Sequence, residues 1–458
     1  MNTDLTTGKT SLVLWKFSLP MLLSVLFQQL YSIADSMIAG KYAGKDALAA
    51  VGASYPVTMI FLAIATGINI GCNVIISRYY GAKEYERVKT AVYTALISSL
   101  GIAMILTGVG LLTCNRVLKL MNTPENILID SATYLKIYIL GMLFLCLYNI
   151  CTGIFTALGD SKTPLCLLMF SSLGNVGLSI FFVVKFRWGV AGIGWATFIA
   201  QGIFCIIAFI VLLFRIKDIK TTGYFQYFSF GTLRQISLIA IPSIFQQSFV
   251  SVGNLFVQGL VNSFGSDVIA GYSAAIKINT FAMVGYSTLG NAISSFTSQN
   301  LGAKKHERVR EGMKASIWMV IMISIPFVVA NYFFASTFLR LFVDAKDAAE
   351  VIETGRIFLK IVSPFYIVVA IKIVFDGILR GAGAMWQFMS TTFLDLILRV
   401  ILAFILSRFM GAIGIWSSWP VGWVLASSLS IFFTVTGAWE KGAFCTNIKN
   451  KGKETPLN

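Results

Sequence analysis

Asp35 is a carboxylate inside an otherwise apolar run, Phe27-Gln-Gln-Leu-Tyr-Ser-Ile-Ala-Asp35. Gln28, Tyr31, Ser32 and Asp35 recur at helical spacing and share one face. They form a polar stripe ending in a single acid. An apolar environment disfavours the charged form of a carboxylate, so Asp35 is a candidate for proton exchange. The competing reading is an Asp wetted at a helix end, with no chemical part. A second Phe-Gln-Gln occurs at Phe245-Gln246-Gln247, and Asn254 falls within one residue of the position that matches Asp35. The acid there is replaced by an amide, so ion handling is expected in the first half of the chain.

Further ionisable groups stand in or near apolar runs, among them Lys277, Lys360, Lys372, Asp395 and Arg399. Asp395 and Arg399 are four residues apart, on one helical face, which is the spacing of an ion pair. A structural pair is preferred there to a substrate contact. Lys372 lies deep in its run and is a candidate for a cavity wall, because ionisable groups in lipid-spanning segments are costly and need a reason. The one histidine, His306, sits in a charged segment; no Cys-x-x-Cys or metal-ligand spacing occurs. No nucleophile–base set is present either. The chain is therefore read as no enzyme, with no catalytic residue, no metal centre and no cofactor.

The elements that carry these groups follow from composition. Of the 458 residues, 57% are hydrophobic and 12% charged. Soluble domains carry about 45–50% apolar and about 25% charged residues, so a water-soluble fold is excluded. Runs such as Ile203–Leu213 lack the alternation of a β-barrel. Twelve helical spans are expected, at 12–39, 52–78, 91–113, 133–157, 165–185, 190–214, 236–262, 269–299, 315–341, 354–379, 387–408 and 412–438. The net charge of +16 resides in connecting segments such as 78–90, 215–234, 304–314 and 439–453. With twelve spans these fall on the side of both termini, which the positive-inside rule places in the cytoplasm. Basic residues between spans argue against a nucleic-acid partner. Trp188, Trp195, Trp416, Trp419 and Trp423 are expected at outer membrane interfaces.

The chain also repeats itself. Gly81-Ala-Lys-Glu-Tyr-Glu-Arg-Val-Lys89 recurs as Gly302-Ala-Lys-Lys-His-Glu-Arg-Val-Arg310. Gly153 and Gly159 match Gly377 and Gly383, and Gly189 and Gly192 match Gly411 and Gly414, at a steady offset of 221–224 residues. Six spans per repeat return the chain to the same side, so the repeats run parallel, related by a pseudo-two-fold along the membrane normal. The expected fold is all-α and polytopic. Residues 1–214 form an N-terminal six-helix lobe, 215–235 a cytoplasmic linker, 236–440 a C-terminal six-helix lobe and 441–458 a cytoplasmic tail. Two like lobes about a cleft are the plan of an alternating-access transporter.

The Asp35 stripe, the paired Gly-Ala-Lys boxes, Ala157-Leu-Gly-Asp-Ser-Lys-Thr-Pro164 and the six-plus-six repeat together resemble the multidrug and toxic compound extrusion (MATE) family over nearly the whole chain. Tyr148-Asn149 looks most like its staphylococcal-type and DNA-damage-inducible bacterial branches. The resemblance implies a multi-pass antiporter of the bacterial cytoplasmic membrane, expected as a monomer. It implies export of small lipophilic, often cationic, compounds against inward H+ or Na+ flow by alternating access. The family's first-span acid corresponds to Asp35. A first-lobe cation site in related branches maps onto Asn175 and Thr197, while its second acid is Ser179 here. A Na+ site at Asp35, Asn175 and Thr197 stays open, but the lost carboxylate favours H+. Another branch uses acids in spans 7 and 10; here the matching region offers Gln246, Gln247, Asn254 and Val369. Gln28, Tyr31, Ser32, Gln246, Gln247, Asn254 and Lys372 are the substrate-cavity candidates. The alternative is a lipid-linked precursor flippase of the related superfamily, for which Lys372 and Arg399 supply cationic side chains.

Overall fold

A chain in lipid must satisfy its backbone amides internally, and the helix does so within one segment. The computed structural model describes residues 3–38, 45–121, 123–221, 223–341 and 348–440, and no strand occurs among them. In chain order the helices are α1 Thr10–Ile38, α2 Lys45–Gly81, α3 Tyr85–Leu120, α4 Glu125–Leu140, α5 Met142–Ala157, α6 Lys162–Ile180, α7 Gly189–Asp218 and α8 Phe230–Asn262. There follow α9 Ser266–Gly302, α10 His306–Phe333, the short α11 Ala335–Leu339, α12 Ala348–Val362, α13 Tyr366–Gly381, α14 Met385–Met410 and α15 Ala412–Val435. Among the described residues eleven stretches are long and apolar enough to cross a membrane, and the pair α4 and α5, bent by 44°, makes a twelfth.

The bends recur in both halves. Gly141 separates α4 from α5, and a 3-10 turn at Ser363–Phe365, containing Pro364, separates α12 from α13. The expected ninth span, 315–341, is not continuous: α10 ends at Phe333 and α11 starts afresh. Span five closes in a π-turn at Phe181–Lys185.

The helix ends repeat even more closely. Lys83 and Lys304 have φ of 59° and 57°, and Gly159 and Gly383 have 81° and 77°. Each is the left-handed residue of a Schellman cap. Asp160 N donates to Phe155 O at 2.8 Å and Ala384 N to Leu379 O at 2.8 Å. Glu84 N donates to Tyr79 O at 3.0 Å and Lys305 N to Asn300 O at 2.8 Å. In the Gly-Ala-Lys boxes the lysine, not the glycine, takes the left-handed conformation. The box charges are engaged as a network: Arg87 meets Glu84, and Arg310 meets both Glu307 and Glu440, each at 2.9 Å.

Two compact units result. Unit 1 comprises residues 1–4 and 19–244, and unit 2 comprises 5–18 and 245–458. Thr10–Ser18 of α1 therefore belongs with the second half, and Phe230–Ile244 of α8 with the first. In unit 1 a Cβ on Gly71 would lie 2.7 Å from the Ala240 Cβ, so α2 and α8 meet at backbone distance. In unit 2, Arg308 directs Nε, Nη1 and Nη2 to the carbonyls of Leu5, Gly8 and Thr7 at 3.2, 2.7 and 2.7 Å. Lys305 Nζ donates to Thr6 O at 2.7 Å, and Thr10 Oγ1 to Glu311 at 2.8 Å.

One close helix seam recurs in both units. In unit 1 it joins α2 to α5 through side chains one turn apart. Asn69 donates to Asn149 O, Asn73 Nδ2 to Gly153 O at 3.0 Å and Ser77 Oγ to Ala157 O at 3.4 Å. The repeat mates in unit 2 join α9 to α13 with glycine instead. A Cβ on Gly377 would lie 2.5 Å from Gly290 O, and one on Gly381 2.4 Å from Ser294 O. Polar links and small residues are the two means by which helices associate where solvent offers no hydrophobic drive.

Three tryptophans depart from expectation. Trp416, Trp419 and Trp423 are 1%, 5% and 2% exposed, inside unit 2 and not at an interface. Trp416 stacks on Tyr272 at 4.9 Å, and Phe358 meets both Trp416 and Trp419 edge-on. Rings of this size bury about 150–250 Å² each, and here that area is covered by other aromatic side chains of the unit.

Candidate ion-coupling site

The Asp-Ser-Lys-Thr-Pro segment sets the start of α6. The Asp160 carboxylate accepts from the Lys162 and Thr163 amides at 3.2 and 3.1 Å and from the Thr163 hydroxyl at 2.7 Å. A carboxylate at a helix N-terminus meets the free amides and the positive end of the dipole. Arg215, at the end of α7, closes on Asp160 at 3.2 Å. The two helices are thus tied at one end.

Further along, they bring together three of the expected residues. Ser179 Oγ donates to Asn175 Oδ1 at 3.2 Å, and Asn175 Nδ2 donates to Thr197 Oγ1 at 3.2 Å. Thr197 Oγ1 donates in turn to the carbonyl of Ile193 at 3.1 Å. Asn175 and Ser179 are buried. Thr197 also borders a small cavity lined by Tyr134, Tyr138 and Gln201. The result is a neutral relay of hydroxyls and an amide, with no carboxylate among these three. Ser32 and Asp35 lie on α1, but their side chains fall outside the described residues.

In unit 2, Lys372 is 5% exposed, and its Nζ lies 2.6 Å from Asp376 Oδ2. Thr391 Oγ1 donates to Asp376 Oδ1 at 2.9 Å, and Ser430 Oγ also donates to it. The expected cavity cation is thus held in an internal ion pair. Asp376 escaped the sequence reading, although Lys-x-x-x-Asp is the signal that finds it.

A family model described as MatE matches residues 20–181 and 242–405, one copy in each repeat. The chain belongs to the MatE family. MatE membership makes it a multi-pass membrane protein of a multidrug efflux transporter family. A relative named "Probable multidrug resistance protein YpnP" from Bacillus subtilis is 27% identical over 440 residues, covering 95% of this chain and 97% of the relative. The multidrug export protein MepA of Staphylococcus aureus is 23% identical over 372 residues, with 80% of each chain covered. The solved structure of a MOP superfamily transporter from Pyrococcus furiosus shares the fold, with TM-score 0.88, 21% identity and coverage of 95% of this chain and 97% of that one.

The remaining candidates of this MatE chain are distributed over both units. Gln28 and Tyr31 lie on α1 in unit 1; Gln246, Gln247 and Asn254 lie on α8 in unit 2. Gln246 and Gln247 are half-buried, while Gln28 and Asn254 are exposed. Asp395 and Arg399 do not form the expected ion pair. The Arg399 guanidinium carbon lies 4.5 Å from the centroid of the Trp419 ring, and Asp395 Oδ1 faces Gly422. A cation held on an indole face is drawn away from the carboxylate one turn before it.

Proposed function

We propose that the chain is a secondary active exporter, and not an enzyme, that moves small lipophilic, often cationic, compounds outward by alternating access, coupled to inward H+ flow. Membership of the MatE family supports the transport class, and the names of the relatives support the compound class. Both termini are placed in the cytoplasm on the distribution of Lys and Arg.

The observation that carries the choice of ion is the relay at Asn175, Ser179 and Thr197. Hard metal cations are held by several oxygens with charge compensation. Here Asn175 Oδ1 accepts from Ser179, and Thr197 Oγ1 accepts from Asn175. Ser179 stands where a second carboxylate is needed. A proton requires only the one acid, Asp35. A carboxylate cannot be charged for a cationic compound and protonated at once, and that exclusion is the coupling. Pro20 supplies a bend locus in α1, because it has no amide to offer the preceding turn. The Ser24 hydroxyl donates to Pro20 O at 2.9 Å.

The test uses purified protein in liposomes loaded with a fluorescent organic cation. Movement driven by a pH gradient and lost in Asp35→Asn is the expected result. Movement driven only by a Na+ gradient overturns the choice of ion, and no movement under either gradient overturns the exporter reading.

A further inference from the structure

Oδ1 of Asp395 and Nε of Arg399 on α14, and Nε1 of Trp419 on α15, are enclosed polar atoms without a hydrogen-bond partner. Buried polar groups are normally paired, and each exception calls for a reason. Asp395 and Arg399 differ in charge from the hydroxyl, amide and indole groups in the same state, and differ from Arg380, which donates to Asn291 at 2.7 Å. Among the described residues, neither makes a hydrogen bond or ion pair through any side-chain atom.

Their failure to pair with each other is built into the unit. Arg399 is 6% exposed, and its guanidinium lies on the Trp419 face. Trp419 is fixed edge-on by Phe358, at 5.7 Å and 87°, and by Trp423, at 5.8 Å and 87°. That wall cannot yield without disturbing the stacked pair Tyr272 and Trp416 behind it. On the carboxylate side, a Cβ on Gly422 would lie 2.8 Å from Asp395 Oδ1. The same Cβ would lie 3.1 Å from the Asp395 carbonyl, so α15 comes close to α14 at this glycine. The two charges are thus held one helical turn apart, each with bonding capacity left over. Such preorganised groups suit recognition better than stability.

A guanidinium and an indole N–H beside a carboxylate complement a ligand that carries both signs of charge. We propose that Asp395, Arg399 and Trp419 form a binding site for zwitterionic compounds. An anionic oxygen of the ligand bonds Arg399, with its planar fork of donors, and the Trp419 N–H. A cationic nitrogen of the ligand bonds Asp395. The proposal deepens the exporter reading, on which it rests, by adding compounds with a carboxylate to those that are cations alone.

The test compares a rhodamine dye bearing a free benzoate with its methyl ester, which has the same fluorophore and cation but no carboxylate. Binding is read by fluorescence anisotropy with the full-length protein in detergent. Wild type is expected to bind the acid more tightly than the ester. Arg399→Gln should weaken the acid by at least about tenfold, the loss of one charge-assisted hydrogen bond, and leave the ester unchanged. Trp419→Phe should weaken the acid alone, and Asp395→Asn both dyes. Arg399→Lys, which keeps the charge without the fork, should retain part of the preference and shows that the position tolerates change. An equal loss of both dyes in Arg399→Gln overturns the proposal in favour of a structural role. Ester binding and Asp35-dependent ester transport, with no preference for the acid in wild type, overturn this proposal alone. Binding of neither dye overturns the exporter reading with it.

Discussion

Nζ of Lys372 lies 2.6 Å from Oδ2 of Asp376, with both side chains buried and two hydroxyls closing on the same carboxylate. Removing one member of a buried pair leaves an uncompensated charge. Asp376→Asn is therefore expected to destabilise unit 2 by about 3–5 kcal/mol. Lys372→Met in the same chain should restore most of that loss, since an amide still accepts from Thr391 and Ser430. Denaturant unfolding of the solubilised protein checks both; a double variant as unstable as the single one refutes the pairing.

The two helix seams should respond differently to one added methyl group. Gly377→Ala places a Cβ 2.5 Å from a backbone carbonyl that cannot give way. A loss of about 1–3 kcal/mol is expected, as for overpacked interiors. Asn73→Ala, in the seam of unit 1, removes the link to Gly153 O, worth about 0.6 kcal/mol. Gly108→Ala in α3, where nothing lies within 4 Å of the new Cβ, is the control and should be neutral or stabilising. Melting temperatures should rise from Gly377→Ala through Asn73→Ala to Gly108→Ala.

Ser179→Asp returns a carboxylate beside Asn175. If its absence is what favours H+, the variant should acquire transport driven by a Na+ gradient that wild type lacks. Proteoliposome flux at fixed pH reads this directly. Unchanged ion dependence would show that the relay does not select the ion.

Arg308 holds three carbonyls of residues 5–8. Arg308→Ala should raise amide hydrogen exchange in that segment by about tenfold or more, given the strength of bonds to a charged donor. Exchange in α14 should not change. Uniform exchange across the chain would mean that the variant is unfolded instead of locally released.

The spans were legible because hydropathy is a one-dimensional signal and the repeat doubled it. The residues of the relay were legible only through resemblance: nothing in the spacing of Asn175, Ser179 and Thr197 predicts that α6 and α7 meet there. Trp416, Trp419 and Trp423 misled because an aromatic near a span end has the same signature whether it faces headgroups or a lobe interior. Asp395 and Arg399 have the spacing of a pair, and only the position of Trp419 shows why they stay apart. Lys372 and Asp376 also have the spacing of a pair, and here the burial of both and the hydroxyls of Thr391 and Ser430 hold them together.

The division of α1 and α8 between units has a consequence for how the chain is made. Residues emerge from the ribosome in order, and domains tend to fold as they become complete. Unit 1 lacks its last piece until Ile244 has been added, well after α7 is finished. Residues 5–18 are synthesised long before the arginine and lysine that grip Leu5–Gly8, which arrive only with the second Gly-Ala-Lys box. Residues 5–8 therefore wait for the second half of the chain, and a ribosome that stalls before Arg308 leaves them without these native partners.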